Sequence, residues 1–105
     1  MDLQKQLDKT KELSKEMFET RSKILKYEEN VKKRECELWL ESDWCALLDK
    51  DRPTEKDKTF FMANDKKILF NKRKLKTNKA KLEQLKNNYE IEMLVLKYII
   101  ETDSE

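Results

Sequence analysis

The sequence predicts an all-α protein, a long antiparallel helical hairpin of coiled-coil type paired with a second copy into a four-helix dimer. Three observations predict it. Glycine is absent and proline occurs once, at Pro53, so the residues that make hairpin turns and left-handed caps are missing. Only 37% of the chain is hydrophobic while 44% is charged, which leaves little apolar material for a compact globule and suits solvated helices joined along a narrow seam. Finally, the apolar residues recur every seven positions in two separate series.

The first series is Leu3, Thr10, Met17, Ile24, Val31, Leu38 and Cys45, with Leu7, Leu13 and Tyr27 beside it. No residue between 2 and 48 has the character of a helix breaker, so one continuous helix is expected over about 2–48. Residues 49–53 form the turn, because proline disfavours helical backbone at Arg52 and brings no amide of its own. Thr54 then stands as an N-cap, with Asp57 three residues on as the return half of a capping box. The second helix is expected over about 54–102, either pausing near 64–65, where Asn64 and Asp65 offer a second cap, or running through. Its seam is Phe61, Ile68, Leu75, Leu82, Tyr89 and Leu96, with Leu85 and Ile99 as companions and Asn71 and Asn78 either in the seam or at its edge. Residues 1–105 thus make a single helical hairpin.

The last turns, Ile91 to Ile100, are apolar nearly all the way round, a pattern that calls for cover from more than one neighbour. The start of helix 1 offers Leu3, Leu7, Leu13, Met17 and Phe18, so a homodimer is expected, with Ile91, Leu94, Val95, Leu96, Tyr98, Ile99 and Ile100 at its interface. Near the turn, Trp39, Leu40, Trp44, Leu47 and Leu48 face Phe60, Phe61, Met62, Ile68, Leu69 and Phe70. On a continuous helix Leu40, Trp44, Leu47 and Leu48 share one face and Trp39 points elsewhere. This group is either an aromatic core locking the hairpin tip or, through Trp39, Trp44, Phe60 and Phe61, an anchor for a protein partner.

Charge is unevenly placed although the total is only +2. Residues 66–86 carry Lys66, Lys67, Lys72, Arg73, Lys74, Lys76, Lys79, Lys81 and Lys86 against Glu83 alone, a local +8, whereas residues 87–105 carry a local −4. The basic stretch is a candidate contact for nucleic acid or for an acidic partner, and nucleic-acid contact through it would be independent of sequence and steeply salt-dependent. The alternative is a solvated face, since at about 100° per residue the nine charges circle most of the helix and form no ridge. In an antiparallel hairpin, Glu28, Glu29, Glu35, Glu37, Glu41 and Asp43 would lie alongside and partly neutralise it.

Chemistry has little to work with. There is no histidine, no glycine-rich phosphate loop and no nucleophile beside a base, so no catalytic, cofactor or metal site is expected and the chain is read as a non-enzyme. Cys36 and Cys45, nine positions apart and on opposite faces of a continuous helix, are not expected to pair. No stretch reaches the ~20 apolar residues of a membrane span, and residues 1–15 lack a signal-peptide core, so a cytoplasmic protein is expected.

A long charged helix, a turn reading Arg52-Pro53-Thr54-Glu55-Lys56-Asp57, and a second helix of Leu/Lys/Asn heptads together resemble small helical accessory proteins of bacteriophages of low-GC bacteria. The resemblance implies a virus-encoded protein in a bacterial host. It would attach to DNA-handling machinery, aiding replication or recombination or blocking a defence nuclease as anti-CRISPR proteins do. Three functions follow as expectations: a binder of a protein in such a complex, a direct DNA- or RNA-binding dimer, and a structural coiled-coil adaptor.

Overall fold

The computed structural model describes residues 2–103. Those residues form helices α1 (Leu3–Glu41), α2 (Trp44–Leu48), α3 (Glu55–Ala63) and α4 (Lys66–Asp103), with no strand among them. The fold is the expected all-α hairpin type, and the chain divides into two compact units, residues 1–23 with 77–105, and residues 24–76.

In the first unit the start of α1 runs antiparallel to the end of α4, and, Leu3 apart, both seven-residue series are buried or half-buried there. Met17 on α1 and Leu85, Leu96 and Ile99 on α4 are buried, and Leu82 and Tyr89 are half-buried. Seven residues per two turns keeps such positions on one stripe of a slightly supercoiled helix, which is why the spacing alone located them. Polar groups share this seam. Gln6 donates through Nε2 to the Glu92 carbonyl at 2.8 Å and to Glu92 Oε2 at 2.7 Å, and the buried hydroxyls of Thr10 and Thr20 donate to the Leu7 and Glu16 carbonyls, both at 2.8 Å. Each buried polar side chain thereby finds a partner.

In the second unit Val31, Leu38, Trp44 and Ile68 form the core, with Leu48, Phe61, Met62 and Leu75 packed against it. Here helix 1 does not run to residue 48. It stops at Glu41, and α2 starts afresh at Trp44. The reason is local: Trp44 Nε1 donates to the Trp39 carbonyl at 3.1 Å, the acceptor that a continuing helix would offer to the amide of Asp43. Asp43 then caps α2, its Oδ1 accepting from the Ala46 amide at 3.3 Å. The break swings Trp44 into the core and away from Leu40, which is 80% exposed; Leu47, on α2 with Trp44, is also exposed.

With no glycine to end α2, Asp49 takes the left-handed conformation at φ 52°, a region that short polar side chains tolerate. The Thr54–Asp57 capping box opens α3: the Asp57 amide donates to Thr54 Oγ1 at 3.2 Å, and the Thr54 amide to Asp57 Oδ2 at 3.0 Å. Of the two alternatives at 64–65, the pause is observed. Asn64 ends α3, and Asp65 caps α4 by accepting from the Ile68 amide at 3.1 Å.

Candidate interaction surfaces

The apolar end of α4 lies in the first unit, and the residues read as a dimer interface divide there into two sets. Leu96 and Ile99 are buried in the seam with α1 and Val95 is half-buried, whereas Ile91, Leu94, Tyr98 and Ile100 are exposed, Leu94 at 67%. Leu96 and Ile99 therefore leave the candidate interface, because the heptad register that makes the hairpin already uses them. Met93 joins the exposed set. On α1 the expected cover is partial: Met17 is buried and Leu7 and Leu13 half-buried, but Leu3 and Phe18 are exposed.

Glu92 sits inside this unit's seam edge. Its carboxylate takes Gln6 Nε2 and, at 3.1 Å, Lys9 Nζ, and the hydrogen bond from Gln6 ahead of the pairing with Lys9 holds its pKa below the usual glutamate range.

In the second unit the aromatic residues near the turn gather around one buried ring, that of Trp44. Trp44 is buried with Phe61 edge-on at 5.6 Å and Trp39 at 6.3 Å, and Lys58 Nζ stands 5.1 Å from the centre of the Trp39 ring. Trp44 is thus enclosed and Phe61 is half-buried against it, and Trp39 joins this cluster rather than pointing away from it. Phe60, 74% exposed, keeps an open ring. The break at 42–43 causes this rearrangement.

Of the basic residues, Lys66, Lys67, Lys72, Arg73, Lys74, Lys76, Lys79 and Lys81 are exposed and Lys86 is half-buried, and they divide between the two units. The structure brings Lys66 and Lys67 together with Lys33 of α1 around a shallow groove of about 380 Å³, lined also by Asn30, Arg34, Glu37, Phe70 and Asn71. Asn30 Nδ2 donates to Asn71 Oδ1 at 3.2 Å across its floor, which places Asn71 at a polar contact between the helices. Arg34 is committed to Asp65, a pairing that raises the arginine's pKa and lowers the aspartate's. Lys33, absent from the charge run in α4, was not legible in sequence; its place beside Lys66 follows from the antiparallel register.

Cys36 and Cys45 are free and exposed, on α1 and α2 respectively, so the continuous helix that set their angular separation is absent. Among the described residues no helix is long and apolar enough to cross a membrane. Comparison of the chain with protein-family models, curated proteins and solved structures gives no significant match.

Proposed function

We propose that this chain is a non-enzymatic interaction protein of the phage accessory type, acting in the cytoplasm of a bacterial host. It pairs with a second copy and binds a protein component of a nucleic-acid-processing or defence complex, which it modulates or inhibits. The observation that carries the reading is the end of α4, where Met93 and Ile100 beside the seam, and Ile91, Leu94 and Tyr98 beyond the charged line of Glu90, Lys97 and Glu101, all stay exposed after the hairpin seam is filled. Apolar side chains clustered on this scale mark interaction sites far more often than inert surface.

Two measurements test it. Sedimentation equilibrium at tens of micromolar is expected to give a dimer. Affinity purification of the tagged chain from a bacterial host, with and without Leu94→Asp and Phe60→Asp, is expected to retain a DNA-handling or nuclease subunit that one of the substitutions releases. A chain that is monomeric and recovers the same proteins as an unrelated helical control would sink the reading.

A second reading, direct contact with DNA or RNA, draws on the groove that Lys33, Lys66 and Lys67 line with Phe70, over whose ring Lys74 Nζ also stands at 5.6 Å. Lysines beside a half-exposed aromatic ring suit a strand whose phosphates are neutralised while a base stacks in place of Lys74. Titration of labelled duplex and single strands at several salt concentrations decides it: affinity falling steeply with salt supports contact, and no binding at low salt removes it.

A further inference from the structure

The exposed end of α4 carries a charge pattern that specifies how it would be covered. Tyr89, Met93 and Ile100 fall within about 40° of one another around α4, on the flank next to the seam with α1. They line a mostly apolar groove of about 760 Å³, bordered by Glu90, Lys97 and Glu101. Along the solvent side of this apolar strip the charged residues read Lys86, Glu90, Lys97, Glu101. Reversing the helix about Met93 lays Lys86 beside Glu101 and Glu90 beside Lys97, so every cation meets an acid and every acid a cation. The same reversal lays Met93 on itself and Ile100 over the methylene stem of Lys86.

We infer that a second copy of this chain docks along the last turns of α4 in antiparallel fashion, on a two-fold axis passing at Met93. The inference rests on the pairing proposed above and adds its face and direction. A strip of sequence that is its own complement when reversed is what an isologous contact requires, because each residue i that meets j must also find its own j met by i. A parallel, in-register arrangement instead sets each charge level with its own copy. Lys97 also stands 3.9 Å from Glu101 within one helix, a spacing of four residues. That contact is compatible with the dimer, where the two side chains join a four-charge cluster with Glu90 and Lys86 of the second copy. Glu90 and Lys97, by contrast, are seven residues and about 10 Å apart along one helix, out of mutual reach inside a single chain. Coupling between them therefore reports contact between chains.

Cross-linking and charge exchange test the geometry on the full chain, with Cys36 and Cys45 replaced by serine and folding checked by circular dichroism. Under mild oxidation Met93→Cys is expected to form a disulfide with its own copy. Ile100→Cys is not, since its copies would stand about 20 Å apart, far beyond disulfide reach. A mixture of Lys86→Cys and Ile100→Cys chains is expected to link to each other. Glu90→Lys alone should weaken dimerisation about tenfold or more, as two equivalent pairs become repulsive, and Glu90→Lys with Lys97→Glu should return it to within about threefold of the parent. A dimer in which Ile100→Cys links to itself as readily as Met93→Cys, or in which the double exchange restores nothing, overturns the antiparallel geometry and leaves pairing intact. A monomer at tens of micromolar overturns both.

Discussion

Arg34 of α1 grips Asp65 with two nitrogens, Nε at 3.2 Å from Oδ2 and Nη2 at 3.1 Å from Oδ1, while Asp65 Oδ2 also accepts the Ile68 amide at 3.1 Å. One carboxylate thus ties α1 to the start of α4 and closes the first turn of that helix. The geometry is forked and the aspartate side chain is largely shielded, which sets it apart from the isolated ion pairs of an open helix surface.

Asp65→Ala removes both the tie and the cap and is expected to cost about 1–3 kcal/mol in urea or thermal unfolding. Asp65→Asn keeps a capping oxygen and loses only the charged pair, so its cost should be clearly smaller. Equal losses for the two variants would show that the cap contributes nothing.

Acid should weaken the fold through three carboxylates. Asp65 is held below its ordinary value by its bond to Arg34, Glu92 by its bond to Gln6, and Asp57 is lowered to about 2 by the Thr54 amide and by Lys50. A depressed folded-state pKa means that the unfolded chain takes up protons first on acidification. The stability these groups give is therefore complete above pH about 5 and is lost as pH falls, for Asp57 between about 4 and about 2. A melting temperature that is level from pH 7 to 5 and then declines is expected, and Asp65→Asn should flatten the decline.

Ile68 is 1% exposed at the centre of the second unit's core, so Ile68→Ala should cost about 2–4 kcal/mol. Leu40→Ala, on an exposed turn of α1, should change stability by less than about 0.5 kcal/mol. A continuous helix through residue 48 would align Leu40 with Trp44 and make both substitutions costly, so the contrast reads the break at Ser42 and Asp43 directly.

Thr20 is only 2% exposed, and its hydroxyl bonds the Glu16 carbonyl four residues back. That carbonyl already belongs to the helical ladder, so Thr20→Val removes a buried polar group without leaving an acceptor stranded. The variant should be more stable by about 0.5–1 kcal/mol, seen as a melting temperature several degrees higher. A lower melting temperature would mean that the hydroxyl bond outweighs the added apolar contact.

The sequence by itself determined the helical class, most of the seam and the cap at Thr54. Met17, Ile24, Val31 and Leu38 on α1, with Ile68, Leu85, Leu96 and Ile99 on α4, are buried where the seven-residue spacing placed them, because that spacing is a direct image of helical geometry. The Thr54–Asp57 box was equally legible, since its two partners lie within one turn. Tertiary structure decided what depended on residues distant in sequence or on competition for one group. A single indole taking the Trp39 carbonyl ended α1 at Glu41, buried Trp44 and left Leu40 and Leu47 outside, an outcome that the seven-residue spacing does not contain, although Ser42 and Asp43 are residues of cap type. Register likewise decided that Lys33 would stand with Lys66 and Lys67, and that Leu96 and Ile99 would serve the hairpin while Leu94 and Ile100 stay exposed. Periodicity names the residues that want cover; only the packed chain shows which of them have already found it.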